Sequence, residues 1–242
     1  MDITAMSTVN SEKYRWHSFA DLPALQEAAL GAILDAASMA IQERGRFNLV
    51  LAGGETPRGI YQRLRSAATD WTAWHIYFGD ERCMPPTVEE LNSRMAGEAW
   101  LDHVSIPPSQ VHIIPSEIRA DKAADEYAQA LRGVDRFDLT LLGLGEDGHT
   151  ASLFPGNEWG TAPDSPDTLA IFNSPKRPPQ RVSLSAARLS RSRQIIFLVS
   201  GASKRKAVAR WRAGENIPAR AIMGETGVDV LVESALLPPL AG

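Results

Sequence analysis

Short apolar runs alternate with helix-period segments along almost the whole chain, and this alternation is what most narrows its fold. Leu25, Ala28, Ala29, Ala32, Ile33, Ala36 and Ala40 follow a helical period that ends near Gly45. Phe47 to Ala52 is short, apolar and strand-like, and a Gly-Gly turn leads from it into a helix pattern from Pro57 to about Ala68. His75 to Phe78, Val111 to Ile114, Leu139 to Leu142, Ile195 to Val199 and Val228 to Val232 read as further strands. Ala219 to Ile222 fits the same strand series, while Asp121 to Arg132 and Ser203 to Arg212 read as helices. Strands this apolar, interleaved with helices, predict a Rossmann-like α/β fold: a mostly parallel sheet with helices on both faces. One α/β domain over residues 1–242 is expected, with room for a small subdomain around Asn157 to Gln180.

The bulk numbers narrow the function less than the fold. With 242 residues, 44% of them hydrophobic, the chain can bury about 70–75% of its unfolded surface without a covalent staple. Cys83 is the only cysteine, which fits a reducing cytoplasm. The N-terminal stretch lacks the apolar core of a secretion signal, and no segment approaches the roughly 20 apolar residues that span a bilayer. The net charge of −4 argues against nucleic acid as the main partner. Its distribution is uneven. Between Lys176 and Gly214 lie 11 Lys and Arg and no acid, which leaves 14 basic against 29 acidic residues elsewhere. A cationic stretch in an acidic chain points to an anionic ligand or to docking on the rest of the protein; a solvated helix face is the plainer reading.

The segment from Phe137 to Gly156 carries the most chemistry. A buried-type strand empties into a glycine turn holding Glu146, Asp147 and His149, and in open α/β sheets ligands bind at strand ends of this kind. His149 is the candidate for proton transfer, since imidazole titrates near neutral pH. On a helix Asp147 and His149 would diverge, whereas in a turn the carboxylate reaches the ring. The alternative is a histidine that merely caps a loop. Gly143 to Gly148 also matches G-x-G-x-x-G, but Pro155-Gly156 follows too soon for the long helix that a dinucleotide fold requires.

Three other strand ends carry candidate ligands. At Gly53-Gly54-Glu55-Thr56-Pro57, Thr56 suits an N-cap and Pro57 the first helical position, and the unobstructed backbone N–H groups suit phosphate; a plain capped turn has the same pattern. Asp80-Glu81-Arg82 is either a solvated corner or part of the same site, where Arg82 would grip a phosphate or carboxylate. Asn92-Ser93 is placed to cap the next helix. Lys204 opens a helix, where the dipole disfavours a cation unless an anion is bound; a surface lysine is the alternative. The histidines at 17, 75, 103, 112 and 149 have no metal-ligand spacing, so no metal is expected. Ser152 lacks the G-x-S-x-G context of a nucleophile, and Cys83 is expected to be structural.

Taken together these motifs resemble the 6-phosphogluconolactonases of the glucosamine-6-phosphate isomerase/6-phosphogluconolactonase family. The resemblance runs in order through GGETP at 53–57, GDERCMPP at 79–86, NSRMA at 92–96, FDLTLLGLGEDGHTASLFPG at 137–156, RVSL at 181–184 and LVSGASK at 198–204. Glucosamine-6-phosphate deaminases share the GG-x-TP and DGH elements, but their continuation resembles IAFNEP more than TASLFP. The resemblance implies a fold related to ribose-5-phosphate isomerase and those deaminases, and hydrolysis of a phosphosugar lactone in the oxidative pentose phosphate pathway. It implies no cofactor, a small-molecule phosphosugar lactone as partner, no nucleic acid, no membrane and a cytoplasmic setting. By position it implies His149 as base with Asp147 in support, Gly53, Gly54 and Thr56 holding substrate, Arg82 and Lys204 on the 6-phosphate, and Asp80, Asn92 and Ser93 lining the site. Two departures stand out. Glu55 takes a position that is often Ser and should point away from the phosphate, and the C-terminal end lacks the Trp-containing tail of relatives. A deaminase-like isomerase and a non-catalytic sugar-phosphate sensor are the alternatives.

Overall fold

The computed structural model describes residues 13–85, 87 and 90–237. Pro86, the last residue of the GDERCMPP motif, lies outside the described residues. Seven strands form one parallel sheet in the order β1-β10-β9-β6-β2-β3-β5. They are β1 (Tyr14–Phe19), β2 (Phe47–Leu51), β3 (Trp74–Phe78), β5 (Val111–His112), β6 (Phe137–Gly143), β9 (Ser192–Val199) and β10 (Val228–Glu233). A second, antiparallel sheet joins β4 (Asp80–Arg82), β8 (Arg181–Leu184) and β7 (Thr168–Ile171). The helices are α1 (Leu22–Arg44), α2 (Glu55–Leu64), α3 (Asn92–Ala99), α4 (Ala120–Ala130), α5 (Ala186–Ser190) and α6 (Arg205–Arg212).

All five residues of β2 are buried, as a central strand covered on both faces must be. Successive strands step outward from β2 through β3 to β5, and then from β6 through β9 to β10 on the other side. The order therefore reverses between β2 and β6, and the crevice at their C-terminal ends is where an open α/β sheet holds its ligand.

Helix α1 shows how local sequence feeds this layout. Asp21 accepts a hydrogen bond from Ala24 N at 2.9 Å, and Gly45 closes the helix at φ +69°, donating to Ile41 O at 2.8 Å. Leu25, Ala29, Ile33, Ala37 and Ala40 are fully buried on one stripe. This helix is long and apolar enough to cross a membrane by length and composition, which corrects the expectation that no segment is. Its apolar stripe is spent on the core cluster, against strands that include β2, β6 and β10.

Two tyrosines fasten the strand ends that face the crevice. Tyr61, from α2, donates its hydroxyl to Ala52 O at 2.9 Å and accepts from Ala52 N at 3.0 Å. Tyr127, from α4, does the same at Phe78, with distances of 3.0 and 2.8 Å. Both side chains are buried, and burial drives both phenols far above the ordinary tyrosine value. They thus stay neutral and pin the residue that follows β2 and the last residue of β3, just before the loops at Gly53 and Gly79.

Three sequence expectations need correction. Ala219 to Ile222 is not a strand: Pro218–Ala221 forms a turn of 3-10 helix. Thr56 is not an N-cap, because α2 starts at Glu55 and its cap is Gly54, at φ +104° with no side-chain hydrogen bond. Glycine reaches that positive φ without strain, so the helix begins earlier than a Thr-Pro start would allow. Asn92 and Ser93 do not cap α3 with their side chains either. The buried Glu81 carboxylate accepts from Asn92 N at 2.9 Å and from Ser93 N at 2.8 Å, and also from Arg82 N at 2.9 Å. A carboxylate from another strand thus satisfies the helix start.

Candidate active site

A cavity of about 250 Å³ opens at the crevice between β2 and β6. It has room for one sugar and far less than a dinucleotide needs. Gly53, Gly54, Asp80, Arg82, Asn92, His149 and Lys204 all line it, so five separate stretches of sequence meet there. Thr56 and Ser93 do not line it. The Thr56 carbonyl instead accepts from Gln26 Nε2 at 3.1 Å, and Ser93 N is held by Glu81. Lys176, Arg181 and Thr150 also line the cavity, and sequence reasoning assigned them no role. The cationic stretch beginning at Lys176, and the RVSL motif beginning at Arg181, were the available signals.

The G-x-G-x-x-G segment is a compact turn and opens no helix. Gly145 N donates to His149 O at 2.7 Å, and Gly148 N donates to Gly145 O at 3.0 Å with Gly148 at φ +89°. The turn folds Asp147 back on His149: the carboxylate accepts from His149 N at 3.1 Å, and Oδ1 lies 2.5 Å from Nδ1. An ionised carboxylate only accepts, so Nδ1 carries the proton and Nε2 keeps a lone pair. Arg210 of α6 secures the turn by donating to Asp147 O at 2.9 Å.

His149 sits below its ordinary pKa because burial disfavours the imidazolium. The hydrogen bond and charge of Asp147, and the more distant Asp80, oppose the burial; Lys176 adds to it. The ring is therefore a neutral base at pH 7. Asp147 is held below the usual carboxylate range: burial pushes it upward, and the contacts with His149 outweigh that push. Behind the ring stands the buried Phe154, with its centroid 4.7 Å from that of His149. Arg181 lies over the same phenyl ring at 5.6 Å.

The other wall is a polar network. Asp80 and Glu81 are buried, so the Asp-Glu-Arg run is not a solvated corner. Asp80 accepts from Asn92 Nδ2 at 3.2 Å and from the buried Ser152 hydroxyl at 2.6 Å. Asn92 in turn accepts from Arg82 Nη1, which fixes the guanidinium at the cavity edge. Gly53 has no side chain for a plain reason: a Cβ there would stand 1.9 Å from Asn92 Oδ1. Glu55 points outward, its side chain 86% exposed and paired with Arg58 at 3.5 Å, as the departure at this position required. Lys204, in the 3-10 turn before α6, is held below the ordinary lysine value by burial, against the opposing pull of Glu146. Cys83 is partly buried, and burial together with the charge of Glu81 pushes its thiol up to about 11. Among the described residues no three His, Cys, Asp or Glu side chains gather as a metal centre would need.

Fold and site thus define an α/β protein with a small cation-lined cavity beside a histidine–aspartate pair. Residues 20–231 match the family described as glucosamine-6-phosphate isomerases/6-phosphogluconolactonase. The chain belongs to that family. It is 36% identical over 235 residues to a 6-phosphogluconolactonase of Mycobacterium leprae, covering 90% of this chain and 95% of the relative. It is also 36% identical to that of Synechocystis over 203 residues, 80% of this chain and 83% of the relative. The crystal structure of 6-phosphogluconolactonase from Thermotoga maritima superposes with a TM-score of 0.84 at 26% identity, over 91% of this chain and all of that one. A monomeric glucosamine-6-phosphate deaminase shares the fold, with a TM-score of 0.75 at 22% identity over 92% of this chain and 98% of that one.

Proposed function

We propose that this protein hydrolyses 6-phospho-D-glucono-1,5-lactone to 6-phospho-D-gluconate, the lactonase step of the oxidative pentose phosphate pathway. The observation that carries the reading is the His149–Asp147 pair set in a sugar-sized cavity with cations on its walls. The relatives at 36% identity, both named 6-phosphogluconolactonase, support the choice of reaction.

A lactone is an internal ester. Its hydrolysis needs a water, a base for that water, and stabilisation of the oxyanion that forms at the carbonyl carbon. His149 Nε2 takes the proton as the water oxygen attacks, and the imidazolium then returns it to the departing ring oxygen. Asp147 holds the tautomer and offsets the charge on the ring. General base catalysis of this kind is worth about 10²–10⁴-fold. Arg82 and Lys204 engage the 6-phosphate, and the Gly53-Gly54 loop, Asp80 and Asn92 surround the sugar. Anchoring the phosphate away from the reacting carbon supplies orientation. In this reading one α/β domain does the work without a cofactor, as a cytoplasmic enzyme with no nucleic-acid or membrane partner.

The test offers purified protein freshly made 6-phosphogluconolactone and, separately, glucosamine 6-phosphate. Lactone opening well above the spontaneous rate, with no ammonia from the amino sugar, is the expected result. Ammonia release would replace this reading with deamination, and binding without either turnover would replace it with a sensor. Arg82→Ala and Lys204→Ala should each raise KM more than they lower kcat; unchanged KM in both would remove their phosphate role.

A further inference from the structure

The oxyanion needs a partner, and the glycine turn has few to offer. The N–H groups of Gly145 and Gly148 are already donated within the turn, and in the reading above Arg82 is given to the phosphate. Lys176 stands differently. It lines the same cavity, and its charge acts on both His149 and Lys204. Its ammonium makes no hydrogen bond or ion pair among the described residues.

The loop that carries Lys176 is fastened from below. Arg181, 8% exposed, donates to the carbonyls of Lys176, Arg177 and Pro178 at 3.3, 2.9 and 3.1 Å. A buried guanidinium is thus spent on holding three consecutive backbone carbonyls. Two lysines whose charges repel across one cavity are a configuration that a bound anion relieves. With Arg82 and Lys204 given to the phosphate and Arg181 spent on the loop, Lys176 is the cavity-lining cation left for the reacting end, and its charge reaches His149.

We propose that Lys176 recognises the reacting end of the substrate, pairing with the oxyanion at C1 as it forms and with the carboxylate of the product. The inference rests on the lactonase reading above. Water attack adds one oxygen to C1, the C1–ring oxygen bond breaks, the ring oxygen leaves with the proton returned by His149, and the carboxylic acid left at C1 gives its remaining proton to solvent. The product therefore carries a carboxylate that the neutral lactone lacks, and a cation at that end binds transition state and product better than substrate. Other charged groups facing His149 are Asp147 in its own turn and Asp80 from β4.

The experiment compares 6-phosphogluconate with D-glucitol 6-phosphate, which keeps the phosphate and has an uncharged C1, on wild type and on Lys176→Gln. Wild type should prefer the carboxylate ligand. Lys176→Gln should weaken 6-phosphogluconate about tenfold or more, a change of about 1.4 kcal/mol, and leave glucitol 6-phosphate within about twofold. Its kcat should fall more than KM rises, and the acid limb of its kcat/KM profile should move to higher pH, because a positive charge near His149 has gone. Equal weakening of both ligands would make Lys176 a phosphate cation and overturn the proposal, as would no weakening of either. Wild type that binds neither ligand would instead remove the lactonase reading on which the proposal rests.

Discussion

A Cβ placed on Gly145 would lie 1.9 Å from Nδ1 of His149. The imidazole rests against the bare backbone of the first loop glycine, and the Gly145 N–H fixes the His149 carbonyl at 2.7 Å. The glycine is part of how the base is aimed.

Gly145→Ala should therefore fold normally and lose activity. The new methyl has to displace the ring, and with it the Asp147 contact. Turnover should drop by about 10²-fold or more, toward the loss expected when the base is removed. Affinity for 6-phosphogluconate should survive. Stopped-flow or pH-stat lactonase assays beside calorimetry check this; full turnover in the alanine variant would show that the ring has another place to sit.

Asp147→Asn tests the other side of the ring. Asp147 raises the His149 pKa, while the larger effect of burial lowers it. Removing the carboxylate removes the raising influence only. The acid limb of kcat/KM should thus shift to lower pH while kcat falls, since the tautomer is no longer enforced and the imidazolium is no longer offset. A shift to higher pH would contradict the pairing.

Glu81 tests how the wall is built. Its carboxylate satisfies three backbone N–H groups, two of them at the start of α3. Glu81→Gln presents an NH2 where an acceptor is needed, and the buried donor left unpaired costs about 1–3 kcal/mol. At about 2–4 °C per kcal/mol for a chain of this size, Tm should fall by several degrees. KM should rise as well, because Arg82 and Asn92 both border that carboxylate. Differential scanning calorimetry and steady-state kinetics on one preparation check both halves.

Cys83 should be inert. With its thiol pushed up to about 11, only about one part in a thousand is thiolate at pH 8. Iodoacetamide labelling at that pH should be slow compared with free cysteine, and Cys83→Ser should keep its lactonase rate. Rapid labelling with loss of activity would reopen a role for the thiol.

What the sequence disclosed follows the physics of each element. Strands β2, β3, β6, β9 and β10 are apolar because they are central, and their composition declares them. β1 is an edge strand, partly exposed, and its Tyr-Arg-Trp-His-Ser-Phe has no apolar run to notice. β4 looks like a charged corner because its acids are buried only with partners supplied from α3 and Ser152. The Asp147–His149 turn was legible, since both residues and the glycines that bend it are local. Lys176 was not: it reaches the cavity through a loop set by Arg181, and nothing local marks where that loop goes. Thr56 misled because Thr-Pro is a good helix start, and Gly54 begins the helix first.

The most direct test of the account is His149→Ala, assayed on freshly prepared 6-phosphogluconolactone with the spontaneous rate subtracted and with 6-phosphogluconate binding measured on the same sample. The account predicts turnover lower by about 10²–10⁴-fold with phosphosugar affinity nearly intact. Near-wild-type turnover in that variant would contradict it, for the base would then lie elsewhere.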